Sequence, residues 1–440
     1  NDNFGIRPLP NLEAKFVAAN TLVGLNKGER TLFDDREIDK LQEKLVQASH
    51  RIFGAKSNKT KNKHKARVEE LQAQIADRLE FLGVVGNDDA RLMRQWRMFD
   101  QNASSPFFDP EWMFGISNGF DIIIANPPYV FTRDVDFGAD FKKYIEKEYF
   151  SKSKAEKKSK ANQAGKINLF AIFVMKGIML NAKGGVLSYI LPNNILRTTT
   201  YDLVRKYILD NTSIDQIVDL GSGVFENVTA STVILQLLNN PNKDFRAKAI
   251  TNIQSIEQRQ FTSSEIPQEQ FTTNTSYAFN IFGSDESNLL TNKIDNSTEK
   301  LGYYCKDIIE GIVAHKHLIS EIKKDELLPL IEGKCIKRYS ITGVNKFILW
   351  DRKQIHRTRP EYLWELDEKI IIQRISGGKK PIVAALDLFK YRTFASVNNL
   401  VLKDEFTEYY KIILSLLNSN LINWYYANNF SNNSTLTVNI

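Results

Sequence analysis

The chain has 440 residues, of which 42% are hydrophobic and 25% are charged. That length allows two or three domains with a sizeable core, and the composition is that of a soluble globular protein. The net charge of +7 favours a polyanionic partner. The two cysteines exclude a disulfide framework and favour a reducing cytoplasm, and no stretch is long and apolar enough to span a membrane.

The first predicted elements precede residue 120. Residues 12–20 predict a strand that ends at Asn20. Apolar residues at helical spacing within residues 34–80 predict a helical hairpin, and we expect a helical insertion over residues 34–105. The basic run over residues 56–67 has no apolar pattern, which favours a solvated loop between the two helices. The aromatic residues of 96–114 are expected to cover one flank of the core.

The organising stretch is an apolar run at residues 120–125, which is followed by Asn126-Pro127-Pro128-Tyr129. The run predicts a strand buried on both faces, and the prolines stop it at Asn126. Asn126 and Tyr129 would therefore lie at its carboxyl end, where open α/β sheets bind ligands.

The tetrapeptide suits the chemistry of an amino group. Proline fixes its own φ and restricts the preceding residue, so the corner is stiff. The Asn126 side-chain oxygen and the Pro127 carbonyl could both accept hydrogen bonds from one NH2 group and draw it toward the tetrahedral shape of a nucleophile. Tyr129 offers a flat face to a planar ring. A bare turn after a buried strand is the alternative interpretation.

Charged and apolar segments alternate after the tetrapeptide. Residues 142–166 predict a basic loop, either mobile or ordered by DNA phosphates. Residues 167–180 predict an apolar helix with Asn168 at its start, as a cap or a cofactor contact. A Gly184-Gly185 turn precedes predicted strands at residues 186–191, 214–220 and 232–238, with a helix at 201–209. This alternation predicts a parallel, doubly wound sheet whose last pair is antiparallel.

Three segments have the residue types of other functional sites. The glycine-containing residues 219–225 are similar to a cofactor loop, but such a loop should open a helix, whereas a β-branched strand follows here. Residues 360–361 and 367–369 have the residue types of a metal-dependent nuclease at too tight a spacing. His315 and His317 lack the further ligands that a structural zinc site needs. The sequence therefore predicts no metal.

The Asn126–Tyr129 tetrapeptide after an apolar strand resembles the catalytic motif of S-adenosylmethionine-dependent amino-group methyltransferases. The wider chain resembles the adenine methyltransferase and target-recognition regions of Type IIG restriction–modification enzymes. The resemblance implies an α/β fold with a Rossmann-like methyltransferase sheet, whole or incomplete, over residues 1–290. It also implies a mixed α+β target-recognition domain over residues 300–440. The polar residues 240–300 would supply peripheral strands and a linker helix, and residues 414–428 a final aromatic helix.

The same resemblance assigns roles to residues outside the tetrapeptide. Asn20 matches the residue beside the adenine of the cofactor, and Phe225 matches an aromatic that stacks on the extruded base opposite Tyr129. The glycine-rich cofactor loop that precedes this segment in the family is not found upstream of Asn20. Basic residues of the C-terminal domain would contact DNA, and the candidates are Lys316, Lys337, Arg338 and Arg374.

These expectations combine into one functional prediction. We expect a cytoplasmic, base-flipping DNA adenine methyltransferase that uses S-adenosylmethionine, binds double-stranded DNA and serves restriction–modification or phage defence. Its further partner would be a nuclease domain of the same parent polypeptide. Two alternatives stay open, namely a non-catalytic DNA-recognition fragment that lacks the cofactor loop, and a protein-glutamine methyltransferase.

Overall fold

A computed structural model describes residues 11–25, 35–100, 102–131, 143–150, 168–225, 231–255, 257–282, 285–297, 299–374 and 380–429. The chain forms two compact units. The first comprises Asn1–Ile190, Lys206–Asp215 and Leu235–Phe245, and the second comprises Leu191–Arg205, Gln216–Ile234 and Arg246–Ile440. The predicted division into residues 1–290 and 300–440 stays a prediction. In the described part of the chain, no helix is long and apolar enough to cross a membrane.

The helical hairpin predicted within residues 34–80 is confirmed, whereas the insertion over residues 34–105 stays a prediction as a domain boundary. The helices of this region, called the insertion below, are α1 (Arg36–Phe53), α2 (Asn58–Phe81), α3 (Asn87–Gln95) and α4 (Pro110–Phe114). The prediction of a loop at residues 56–67 is wrong, because α2 already begins at Asn58. The Ser57 side chain accepts a hydrogen bond from the backbone N–H of Thr60 and so satisfies one of the free donors at the helix start. Lys61 then pairs with Glu13 at 2.5 Å.

A hydrophobic core of its own holds this insertion together. Leu71 and Ile75 of α2 are fully buried in it. The aromatic residues of 96–114 join the same core, where Trp96 and Trp112 lie 5.4 Å apart between ring centroids. The indole N–H of Trp112 donates to the Gln72 carbonyl at 3.0 Å, so the ring is fixed as well as buried.

The predicted strand at residues 12–20 is wrong. The segment has a short 3-10 turn at Glu13–Lys15 and a single bridge between Ala19 and Ser105. Its backbone lies against the insertion, because Ala14 is buried in that core. No continuous partner strand is available among the described residues, so an extended ladder does not form.

A six-stranded mixed sheet carries the candidate site. Its strands are β1 (Phe120–Ala125), β2 (Asn181–Pro192), β3 (Ser213–Gly221), β4 (Thr232–Leu238), β5 (Arg246–Ser255) and β6 (Gln260–Pro267). Their order is β1-β2-β4-β3-β5-β6, with β1–β2 and β3–β5 parallel and β5–β6 antiparallel. Helices α5 (Leu169–Leu180) and α6 (Asp202–Asn211) precede β2 and β3. The chain is therefore a mixed α/β protein, as predicted.

The first strand departs from its prediction. Ile122 and Ile124 are 66% and 79% exposed, so β1 is not buried on both faces. It is an edge strand with β2 as its neighbour, and no described segment covers those two side chains. The predicted turn at Gly184 also differs, because β2 runs through it with a bulge in which Gly184 has a φ of 77°.

The C-terminal part is rich in β-structure, as expected for a mixed α+β region. Helices α7 (Gln268–Thr273), α8 (Asp285–Ser297) and α9 (Leu301–Tyr304) lead into it. One four-stranded sheet contains β7 (Cys305–Glu310), β13 (Lys369–Gln373), β14 (Ala384–Asp387) and β16 (Val397–Leu402) in the order β14-β13-β16-β7. A second contains β8 (Ile319–Ser320), β9 (Leu327–Ile331), β12 (Phe347–Leu349) and β15 (Arg392–Thr393) in the order β15-β9-β12-β8. A two-stranded hairpin is formed by β10 (Ile336–Lys337) and β11 (Ser340–Ile341).

The predicted final helix is two helices, α10 (Tyr410–Asn418) and α11 (Asn420–Asn429). The break falls at Ser419, whose hydroxyl accepts a hydrogen bond from the Ile422 N–H at 3.1 Å. Serine competes with the helix for backbone N–H donors in this way. A helix cap therefore forms at Ser419, where the apolar pattern indicates the interior of one continuous helix.

Candidate functional site

The amide–proline corner lies directly after the edge strand β1. Ala125, the last residue of β1, is in register with Tyr189 of β2. Asn126 and Pro128 are exposed, whereas Pro127 is buried. Within the described residues, the Asn126 carboxamide has no hydrogen-bond partner. The corner therefore presents a free amide oxygen on a stiff backbone, as the tetrapeptide predicts.

Tyr129 is held from two sides. Its hydroxyl donates to the Ile190 carbonyl at 3.0 Å, and its ring meets Phe170 edge-on at 6.2 Å and 86°. Burial raises the pKa of Tyr129 above its ordinary value. The neutral hydroxyl is consequently a stable donor, and the orientation of the ring is set by the protein before any ligand arrives.

Asn168 ties the corner to helix α5. Its side chain accepts from the Phe170 N–H at 3.4 Å, which confirms the predicted cap. The Leu169 N–H donates to the Val130 carbonyl at 2.8 Å, and Phe131 bridges to Asn168. Because Asn168 is only 5% exposed and already caps the helix, its predicted cofactor contact stays a prediction without support from this geometry.

Asn20 lies on an ordered segment with its side chain exposed. The backbone N–H of Asn20 donates to the Ser105 carbonyl at 2.9 Å. Further along, Tyr144 accepts from the Gly24 N–H at 2.9 Å, and the Tyr149 hydroxyl donates to the Leu22 carbonyl at 2.8 Å. Part of the predicted loop at 142–166 is therefore helical and anchored, because residues 143–150 carry these two tyrosines. Residues 151–166 lie outside the described part of the chain.

Lys176 is a charged residue of the first unit that the sequence patterns did not identify as a candidate site residue. It is the one charged residue of the apolar helix α5, and burial lowers its pKa while Glu148 and Asp109 oppose that shift. A side-chain carbon placed on Gly24 would lie 3.7 Å from the Lys176 ammonium and 3.7 Å from the Tyr144 hydroxyl. A single lysine in an otherwise apolar helix was the available signal.

Phe225 belongs to the second unit, whereas Tyr129 belongs to the first. It is partly exposed and follows Gly223, which has a φ of 83°. The glycine stretch ends strand β3 at Gly221 instead of opening a helix, as predicted. The proposed sandwich of a base between Tyr129 and Phe225 stays a prediction.

The four basic candidates differ in their surroundings. Lys316 and Lys337 are exposed. Arg338 donates to the carbonyls of Asn418 at 2.6 Å and Ile382 at 3.4 Å. Its guanidinium therefore links the end of α10 to the segment that precedes β14 and stabilises the fold. This geometry gives no support to its prediction as a DNA contact. Arg374 pairs with Glu310 at 2.5 Å.

The chain combines a mixed α/β sheet, an exposed amide–proline corner after strand β1 and a β-rich C-terminal region. This combination fits the amino-group methyltransferase class. Residues 13–225 match the Eco57I restriction-modification methylase family, and residues 328–440 match the TaqI-like C-terminal specificity domain. Residues 13–225 are therefore a segment of the Eco57I restriction-modification methylase type, and residues 328–440 are a TaqI-like C-terminal specificity domain.

Individual relatives are distant and much longer. RM.MjaORFECS2P of Methanocaldococcus jannaschii, a type II restriction enzyme and methyltransferase by name, is 24% identical over 70% of this chain and 25% of its own length. RM.Eco57I of Escherichia coli is 25% identical over 46% of this chain and 18% of its own length. The chain thus spans a quarter or less of these relatives. The Type IIL restriction-modification enzyme MmeI in complex with DNA aligns at a TM-score of 0.45 with 11% identity, over 90% of this chain and 65% of that one.

Proposed function

We propose that this chain is the catalytic and specificity portion of a DNA methyltransferase of a restriction-modification or phage-defence system. It would transfer a methyl group from S-adenosylmethionine to the exocyclic amine of adenine. The family matches support the methyltransferase class. The observation that carries the finer assignment is the exposed Asn126 at the end of β1, with its carboxamide free among the described residues.

The corner would act by holding the target amine. An adenine inside duplex DNA must be rotated out before its amine can react. The Asn126 oxygen and the Pro127 carbonyl would then accept the two amine hydrogens, which localises the nitrogen lone pair. Tyr129 would stack on the ring, with its own position fixed by the Ile190 carbonyl. No strong general base is required if the proton leaves after the methyl group has been transferred.

When bound, S-adenosylmethionine would supply the electrophilic methyl group. Asn20 fits a contact with its adenine, because the Asn20 side chain is exposed while its backbone is anchored to Ser105. An amide can both donate to and accept from an adenine edge. Asn168 fits less well because its oxygen caps α5.

The central experiment replaces Asn126 by alanine. Labelled methyl transfer to unmethylated phage DNA is expected to fall about 100- to 1,000-fold, as for the loss of one preorganised polar group. Binding to DNA and unfolding free energy are expected to stay within about 0.5 kcal/mol of the unmodified chain, since Asn126 is exposed. Asn118→Ala, at another exposed asparagine in the same unit, is the matched control. Methyl transfer retained by N126A would refute the assignment.

Two further outcomes separate the alternatives. If calorimetry detects no binding of S-adenosylmethionine while duplex DNA is bound, the chain is a recognition fragment that needs other residues for catalysis. If a gel shift detects no binding to duplex DNA, methylation of protein glutamine becomes the better hypothesis. A nuclease domain in the parent polypeptide and a cytoplasmic location stay predictions.

A further inference from the structure

Three arginines of the C-terminal region converge on one carboxylate. Glu310, at the end of β7, lies 2.5 Å from Arg374, 3.2 Å from Arg359 and 3.7 Å from Arg357. These four residues, the arginine cluster, all belong to the second unit. Arg374 directly follows β13, whereas Arg357 and Arg359 precede a 3-10 turn at Glu361–Trp364. Folding therefore brings together residues that are far apart in the sequence.

The positions of the guanidinium groups are fixed by the backbone. Arg359 donates to the Gly311 carbonyl at 3.1 Å, and Arg374 donates to the Ala395 carbonyl at 3.2 Å. Arg359 also has a φ of 62°, a conformation that is strained for a long side chain and that is often found at functional sites. Gly311 lies directly against the backbone of Thr393 and Phe394, because a side-chain carbon there would collide with both of their carbonyl oxygens.

The charges in the cluster are unbalanced. Three guanidinium groups surround a single carboxylate, which leaves an excess of positive charge. A structural ion pair needs one arginine, and each additional one adds repulsion that the fold must offset. The excess is accessible, because the side chain of Arg357 is 52% exposed and that of Arg374 is 34% exposed.

Hydrogen-bond donors in the cluster also remain unused. The guanidinium of Arg357 makes no hydrogen bond within the described residues and has only the 3.7 Å ion pair. Arg374 places its described bonds on a single terminal nitrogen, so its Nε and second terminal nitrogen are free in the part of the chain that the structure covers. Unused N–H groups on a planar fork are the geometry that binds a phosphate through two parallel bonds.

We propose that Arg357, Arg359 and Arg374, positioned by Glu310, bind a phosphodiester group of the DNA backbone. Phosphate contacts set the orientation of a specificity domain on the duplex and carry no sequence information themselves. Glu310 orients the guanidinium groups but does not cancel their charge. Lys316 is exposed and extends the basic surface. It lies shortly after Val313 in the chain, and Val313 forms an isolated β-bridge with Arg357. This inference rests on the proposed function, because it assumes that the second unit binds DNA.

The salt dependence of DNA binding tests the site. The full chain and its Arg357→Gln variant are titrated with a random-sequence duplex over a range of salt concentrations. Loss of one neutralised phosphate should make the slope of log affinity against log salt shallower by about 0.9, so we expect a change of about 0.9 in R357Q/R374Q and a smaller change in the same direction in R357Q. R357K keeps the charge and is expected to retain most of the slope. Arg246→Gln is the matched control, since Arg246 is 53% exposed and pairs with Glu265 on β6.

The outcomes separate the site from the function. An unchanged slope in R357Q, with DNA still bound by the unmodified chain, would overturn the phosphate site alone. A loss confined to one DNA sequence would also overturn it, because that result indicates contact with base edges. If the unmodified chain binds no duplex DNA at any salt concentration, the proposed function and the site are both wrong. Because Arg357 is half exposed, R357Q should melt at the same temperature as the unmodified chain.

Discussion

A buried ion pair in the C-terminal sheet gives a sharp test of the structure. Lys369 and Asp387 face each other in register on β13 and β14. Both side chains are 0% exposed, and the ammonium lies 2.6 Å from the carboxylate. The carboxylate also accepts from the N–H groups of Phe389 at 2.9 Å and Tyr391 at 3.1 Å. Burial lowers the pKa of Lys369, while Asp387 opposes that shift.

Replacing one partner should cost much more than replacing both. Asp387→Asn removes the opposite charge and leaves the buried ammonium with neutral acceptors such as the Tyr391 carbonyl at 3.4 Å, and such stranded charges cost about 3–5 kcal/mol. The double variant K369M/D387N removes the charge. The asparagine oxygen can still accept from a backbone N–H, so we expect the double variant to lose only about 1–3 kcal/mol.

Hydrogen exchange followed by mass spectrometry is the suitable assay. The chain has two compact units, so a single melting curve does not give one free energy. Peptides that cover β13 report the local opening instead. A cost of 3–5 kcal/mol corresponds to exchange about 200- to 5,000-fold faster in D387N. Equal protection in D387N and in the double variant would contradict the reasoning, since no charge would then be stranded.

Two further predictions concern the sheet region. Burial raises the pKa of Tyr189 to about 12, so the stability from its neutral form is complete below pH 10 and is lost as the pH rises toward 12. Urea unfolding at pH 9 and 11.5, followed by a fluorescent label on the first unit, should show a loss of about 2 kcal/mol that Y189F lacks, and equal losses would point to another group. Arg205 is buried, and its donors reach the carbonyls of Ile195, Thr198 and Ser276. In hydrogen exchange of peptides that cover α6, R205K should lower the opening free energy by about 2 kcal/mol or more, whereas K206R, at a partly exposed side chain, should change it by less than about 0.5; equal effects would contradict the assigned bonds.

Elements with strong local patterns could be predicted from the sequence. Strand β4 begins and ends as its β-branched run indicates, and α5 follows its apolar run from the Asn168 cap. The corner at residues 126–129 was predictable for the same reason, because proline acts on its immediate neighbours. These features depend on residues a few positions apart.

Burial and pairing could not be predicted in this way. The isoleucines of β1 have the pattern of an interior strand, yet two of them are exposed because that pattern does not reveal which segments lie alongside. Residues 58–67 lack an apolar stripe but remain helical because Ser57 caps them and Glu13 pairs with Lys61. The segments beside β1 and the Glu13 partner of Lys61 both lie outside the local window.

Arg338 and Arg374 show how this limit affects functional residues. The two side chains have the same chemistry, and nothing in their sequence neighbourhoods ranks one above the other. Arg338 is bound to the carbonyls of Asn418 and Ile382, whereas Arg374 meets Glu310, which already has two other arginines. The carbonyl bonds of Arg338 use both of its terminal nitrogens, whereas the described bonds of Arg374 use only one, beside a carboxylate that carries two further guanidinium groups. Sequence could therefore locate the amide–proline corner, whose stiffness is local, while the arginines that we propose as phosphate contacts become distinguishable only when their distant partners are known.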